Sequence, residues 1–285
     1  MTHLATAREE SREVPIIIDP ARGVLRPQTL LQGFTGDAME LLTADMEIRL
    51  LERVAGVADR YFEDPSEFEL TVPYRAPRKI LGIGLNYREH AGDLDESAPE
   101  EPASFFKGDH TIIGAGDTIV LPEQSGRVTT EGELGLIIGR TARDVPLDAA
   151  MDYVWGFCTV LDQTAEDILR RNPRFLTRCK NFPTFFSFGP ALMPARVVRD
   201  AVGSFERIVV ETIVNGTQIR SNTVANMTHG LASLVSFHSE VMPLYPGDII
   251  STGTPGAIPI EDGDVAECRI EGVGRLSNSV RRRDR

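Results

Sequence analysis

The stretch TTEGELGLIIGR, residues 129 to 140, restricts the fold of this chain more than any other. Aliphatic residues alternate with small or polar ones and stop at Gly-Arg, the pattern of a β-strand. Side chains of a strand alternate between two faces, so Glu131 and Glu133 share one face, and Gly135 and Ile137 continue it. Leu134, Leu136 and Ile138 then point the other way, into a core. Two carboxylates about 7 Å apart repel by roughly 0.6 kcal/mol in water and by roughly 2 to 2.5 kcal/mol at an effective dielectric near 20. A wet edge tolerates that repulsion, whereas a cleft requires a cation to offset it. The pair is therefore either a solvated edge face with two ordinary glutamates or a set of oxygen ligands for a divalent metal.

The chain has 285 residues, 41% of them hydrophobic and 25% charged, enough for one large core or for a main domain with a smaller companion. No apolar run approaches the length of a bilayer span, and MTHLATAREESREVP lacks the basic-then-apolar order of a secretory signal. A formal net charge of −12 argues against sequence-independent nucleic-acid binding, and the terminal RRRDR reads as a solvated, frayed tail. Cys158, Cys179 and Cys268 form no CxxC, so they are expected to be buried, inert thiols of a cytoplasmic protein, and a cysteine–zinc site is excluded.

Residues 1 to 14 are polar and expected to be loosely held, while VPIIIDP reads as a short strand stopped by Pro20. Apolar residues at Met39, Leu41, Leu42, Met46, Ile48, Leu50, Leu51 and Val54 predict helix between Gly36 and Phe62. The proline- and charge-rich stretch that follows puts a boundary near 75–78, giving a small N-terminal α/β domain over 1–76 and a catalytic domain over 77–285. Beyond it, short strands separated by glycine and proline dominate: KILGIGLNY, ASFFKG, HTIIGAGDTIVLP, and GFCTVLDQTAED with Asp162 at its end. REHAGDLDESAPEEP is an aperiodic loop. Asn215-Gly216 joins two strands as a type I′ turn, a helix follows from a Thr228 cap, and ECRIEGVGRLSNSV closes the chain as a strand pair. The class is mixed α/β and strand-dominated.

Asp162 is the natural third carboxylate beside Glu131 and Glu133. Such an oxygen-only set suits Mg²⁺, Mn²⁺ or Ca²⁺ better than zinc. His90 has Asp93 three residues on, and a carboxylate on its far nitrogen would fix its tautomer and raise its basicity. Lys107 and Lys180 could each offer a cation to a substrate oxygen. The loop STGTP, residues 251 to 255, offers hydroxyls and backbone N–H groups to an anion. His238, on an apolar helical stripe, reads as a core histidine. GIGLNYREHAG is not GxGxxG and no GxxxxGK[ST] occurs, so nucleotide-phosphate cradling is not supported.

Taken in order, KILGIGLNYREHAGD, TEGELGLIIGR, GFCTVLDQTAED, CKNFPTFFSFGP, VNGTQIRSN and YPGDIISTGTPGA resemble the fumarylacetoacetate hydrolase family, close to its 2-hydroxyhepta-2,4-diene-1,7-dioate isomerase and acylpyruvase-like members, from about Arg78 to Glu271. The resemblance implies a β-sandwich roll around a metal site, usually in a homodimer acting on a small oxo-acid. It implies Glu131, Glu133 and Asp162 as ligands of Mg²⁺ or Mn²⁺, with Ca²⁺ as a further candidate. His90, Asp93 and Lys180 would be catalytic, and Lys107, Gln163, Gly253 and Thr254 would bind substrate. The chemistry implied is C–C hydrolysis of a 2-oxo or 1,3-dicarbonyl acid through a metal-bound enolate. Isomerisation, tautomerisation, decarboxylation and dehydration are alternatives on the same scaffold, and a non-catalytic metal-binding protein is a further one. The chain departs from the family pattern after Asp162, where Gln163-Thr164-Ala165-Glu166-Asp167 replaces a Ser-Ala-Arg-Asp run and Leu169 stands where a glutamine is found in fumarylacetoacetate hydrolases proper. Asp93 replaces the commoner Glu. Arg170, Arg171, Arg174 and Arg178 are candidates for the missing cation.

Overall fold

A computed structural model describes residues 1–88 and 99–283. His90 and Asp93 lie outside the described residues. With strands numbered along the chain, β1 (His3–Glu9), β2 (Arg12–Asp19), β3 (Gly23–Leu25) and β4 (Glu69–Leu70) form an N-terminal sheet in the order β3-β2-β1-β4. Residues 1 to 14 are thus not loosely held. Leu4, Ala5 and Ala7 of β1 are buried, the strand pairs with β2 from His3↔Ile18 to Glu9↔Arg12, and Thr6 Oγ1 donates to Pro73 O at 2.7 Å. Two of these three buried apolar residues are alanines, which masks the strand in a polar average.

The central sheet runs β6-β5-β15-β9-β10-β11-β7. Its strands are β5 (Ile80–Gly84), β6 (Ala103–Lys107), β7 (Ile112–Ile113), β9 (Val128–Ile138), β10 (Val154–Ala165), β11 (Phe186–Phe188) and β15 (Ile249–Ser251), with β12 (Met193–Pro194) on β10 and β16 (Ile258–Ile260) on β9. A third sheet, β14-β13-β17-β18-β8, contains β8 (Thr118–Leu121), β13 (Val209–Val214), β14 (Thr217–Thr223), β17 (Val265–Ile270) and β18 (Gly274–Arg282). Asn215 and Gly216, at φ 52° and 75°, make the expected tight turn between β13 and β14. The terminal basic run is no frayed tail over its first residues, since Arg281 and Arg282 of β18 pair with Val120 and Leu121.

Helices are short. The expected helix across 36–62 is divided: α1 covers only Ala44–Ala55, because Thr43 caps it by accepting from Met46 N at 3.3 Å and Gly56 ends it. The others are α2 (Glu166–Arg171), α3 (Leu176–Lys180), α4 (Ala195–Val202) and α5 (Leu231–Val241). Thr228 does not cap α5. Gly230 holds the cap position, and the Thr228 N–H donates to Asn86 O at 2.7 Å.

Alternation along β9 builds the sandwich. Leu134, Leu136 and Ile138, with Leu161 of β10, pack against Val210, Ala266, Ile270, Leu276 and Val280 of the third sheet. From the opposite face, Ile137 joins Cys158, Val160 and Phe186 in a core shared with Leu4, Ile17, Leu25, Leu41 and Val54. Hydrophobic burial therefore runs across the expected boundary at residue 76. Glu131 and Glu133 share the face of Ile137 and lie nearer the start of β9. The three cysteines are buried and free, and among the described residues no helix is long and apolar enough to cross a membrane.

Candidate metal centre

β9 is an interior strand between β15 and β10, which rules out a solvated edge for its glutamates: Glu131 is 9% and Glu133 2% exposed. The antiparallel register of β9 and β10 brings in the third acid, because Asp162 pairs directly with Glu131 and Val160 with Glu133. Asp162 is not at the strand end; β10 continues to Ala165, and the carboxylate is fully buried. One ligand oxygen from each of Glu131, Glu133 and Asp162 lies within 4.8 Å of the others. At that distance and an effective dielectric near 20, each charged pair repels by about 3.5 kcal/mol.

Two buried ammonium groups offset part of that repulsion. The last residue of α3, Lys180, donates from Nζ to Glu131 Oε2 at 2.9 Å and to Asp162 Oδ2 at 2.8 Å, and lies 4.8 Å from the centre of the Phe105 ring. Lys107, at the end of β6, pairs with Asp162 Oδ1 and reaches Gln163 O at 3.3 Å. Burial disfavours both charged forms. For Lys180 the three carboxylates outweigh burial and raise its pKa. For Lys107 burial prevails over Asp162, with Lys180 adding repulsion, and the pKa is lowered.

The carboxylates are held differently. Glu131 Oε1 accepts from Thr164 Oγ1 at 2.6 Å and from Thr129 Oγ1 at 3.4 Å. Glu133 has neutral donors, Ser251 Oγ at 2.6 Å and the Gly253 N–H at 2.9 Å, both on Oε2. Burial, then Asp162 and Glu131, push the Glu133 carboxyl up to about 8. Three buried oxygen donors this close, one of them driven toward its neutral form by burial and by the other two, fit a hard divalent cation.

The remaining candidates lie as follows. Gln163 is one residue from Asp162 and therefore on the opposite face of β10, where its amide donates to Phe185 O at 2.9 Å and Leu161 O at 3.1 Å; it does not join the carboxylates. The Gly253 N–H is committed to Glu133. Thr254 Oγ1 closes its own turn, accepting from the Gly256 N–H and facing Gly256 O, each at 3.2 Å. Arg170 and Arg171 pair with Glu166 and Asp167 of their own helix, and Arg178 donates to Gln124. Arg174 donates its backbone N–H to Asn172 Oδ1. His238 is buried, bonded through Nδ1 to Leu234 O at 2.7 Å. Thr129 and Thr164 are contacts that sequence reasoning missed, although each stands two residues from a ligand on the same strand face. Ser251 belongs to the loop expected to offer hydroxyls to an anion, and the anion it meets is the Glu133 carboxylate.

The same fold occurs in known proteins. Residues 79–281 match the family profile described as fumarylacetoacetate (FAA) hydrolase, C-terminal. The crystal structure of 5-carboxymethyl-2-hydroxymuconate delta-isomerase from Mycobacterium smegmatis is 35% identical, with 78% of this chain and 83% of that chain covered at a TM-score of 0.69. Maleylpyruvate hydrolase from Sphingobium sp. SYK-6, solved in complex with manganese(II) ion and pyruvate, is 25% identical over all of both chains at a TM-score of 0.80. The mitochondrial oxaloacetate tautomerase Fahd2a of Rattus norvegicus is 31% identical over 223 residues, 75% of this chain and 70% of that one. With a strand-dominated sandwich, an acidic cluster and a profile match over most of its length, this chain is an enzyme of the fumarylacetoacetate hydrolase family.

Proposed function

We propose that the chain is a Mg²⁺- or Mn²⁺-dependent hydrolase that cleaves a C–C bond in a small 2-oxo or 1,3-dicarbonyl acid. The observation that carries this is the buried trio of Glu131, Glu133 and Asp162, with Lys180 donating to two of its members. These three carboxylates would hold the cation. When bound, it supplies Lewis acidity, polarising a carbonyl oxygen and stabilising negative charge as it develops. Lys180, kept cationic by its acidic neighbours, donates an N–H to a substrate oxygen. Lys107 holds Asp162 in place. His90, with Asp93 orienting its ring, takes a proton from water or from the carbon between two carbonyls. A homodimer is part of this proposal.

A second reading, isomerisation or tautomerisation of a related 2-oxo acid, is supported by the higher identities to the Mycobacterium smegmatis isomerase and the rat tautomerase. Incubating the Mn²⁺- or Mg²⁺-supplied protein with acylpyruvate, oxaloacetate and 2-oxo-dienoate acids separates the two. Hydrolysis consumes one water and releases pyruvate plus a carboxylic acid from acylpyruvate; tautomer interconversion without that release replaces the first reading by the second. His90→Ala is expected to abolish turnover while keeping Mn²⁺ affinity, and full activity in that variant refutes the role given to His90.

A further inference from the structure

Asn86 lies just beyond β5, 1% exposed, and contacts no acidic residue of the cluster through its side chain. Its amide is nonetheless fully engaged. Nδ2 donates to Thr252 O at 2.8 Å and to His229 O at 3.0 Å, while Oδ1 accepts from the His229 N–H at 2.9 Å. The Thr252 carbonyl belongs to the same peptide plane as the Gly253 N–H, which donates to Glu133 Oε2 at 2.9 Å. A donor on the carbonyl end of that plane fixes its rotation and polarises its N–H toward the carboxylate.

Local geometry leaves little freedom for another arrangement. Gly253 has φ +97°, and a Cβ there would lie 2.8 Å from Asn86 Cβ and 3.1 Å from Ile83 O. The peptide can approach both Asn86 and Glu133 only because residue 253 has no side chain. Ser251 Oγ and the Gly253 N–H both bind Oε2, and among the described residues no hydrogen bond reaches Glu133 Oε1. Fixing one oxygen from two sides orients the other.

We infer that Asn86 is a positioning residue for Glu133, acting through the Thr252–Gly253 peptide to aim the carboxylate at the cation. The inference rests on the metal role given to Glu133. Asn86→Asp keeps the acceptor for the His229 N–H but turns an anionic oxygen toward Thr252 O; Asn86→Ser is shorter and removes the donor without adding charge. His229→Ala is the control, since it keeps both backbone contacts to Asn86 and, among the described residues, loses the ring N–H donated to Pro99 O at 3.1 Å.

The test is Mn²⁺ titration of each folded, metal-free protein by calorimetry, with the manganese electron-paramagnetic-resonance signal as a second readout and thermal unfolding of the metal-free form recorded alongside. Loss of an outer contact to a metal ligand weakens affinity by roughly 10- to 100-fold. That loss is expected in both Asn86 variants, with an altered manganese signal, while His229→Ala stays within about twofold of the parent, a margin small against that effect. Parental affinity in a folded Asn86 variant overturns the inference, as does an equal loss in His229→Ala. Failure of both Asn86 variants to fold assigns the residue to the framework and overturns it too. Absence of Mn²⁺ binding by the parent protein sinks the metal role itself, a distinguishable result that removes this inference with it.

Discussion

Replacing Glu133 by Gln is expected to stabilise the metal-free fold at pH 8 while removing its response to Mn²⁺. Gln keeps the shape, and its amide oxygen can still accept from Ser251 Oγ and the Gly253 N–H. What it removes is a carboxyl pushed up to about 8 from an ordinary 4.5, by burial first and then by Asp162 and Glu131. The sign follows from proton counting. Between pH 4.5 and 8 the folded chain holds a proton on Glu133 that the unfolded chain has released, so stability falls as pH rises through that window and levels off above it. The penalty is about 1 kcal/mol at pH 5 and about 4 kcal/mol at pH 8. Urea unfolding with chelator present, at several pH values, should show the variant's advantage growing by about 3 kcal/mol across that range. Adding Mn²⁺ at about 100 times its Kd should then stabilise the parent by about 2.7 kcal/mol and leave the variant nearly unchanged. A variant less stable than the parent at pH 8, or an advantage independent of pH, refutes the reasoning.

Lys180→Met removes the ammonium shared by Glu131 and Asp162 and is expected to cost the metal-free fold about 3 to 5 kcal/mol, read from the urea midpoint. A parental midpoint would show that these ion pairs do not hold the cluster together. Gly132→Ala places a Cβ 2.6 Å from Thr212 Oγ1 and 3.1 Å from Glu211 O, where β13 crosses close to β9. It should cost about 1 to 3 kcal/mol by the same measurement, and unchanged stability would contradict the close approach.

Period-two alternation makes the centre of this site legible in the sequence. It put Glu131 and Glu133 on one face, and the β9–β10 register then set Asp162 beside Glu131. Applied one residue further, the same rule excludes Gln163 from that face and admits Thr164. Lys107, a candidate cation for a substrate oxygen, pairs with Asp162, a contact the sequence does not show because only tertiary packing decides where a long side chain from β6 ends. The partners of Ser251 and Asn86 are illegible for a similar reason, lying 118 and 166 residues away in sequence. At the N-terminus, β1 was hidden by small side chains and by polar groups that bond elsewhere in the fold, such as Thr6 to Pro73 O. The long helix expected before residue 62 failed because Thr43 and Gly56 mark ends that apolar periodicity alone does not register.

The formal charges of the site make the order of binding a matter of electrostatics. Three carboxylates facing two ammonium groups leave one negative charge in excess, and the raised Glu133 carboxyl is the group that yields by taking up a proton. In that state a carboxylate substrate meets a neutral or anionic pocket and gains nothing from entering it. A divalent cation displaces the proton and turns the balance to one positive charge, which a monoanionic oxo-acid neutralises. The charge balance of the described residues thus favours metal binding before substrate, and metal uptake is expected to release protons below about pH 8.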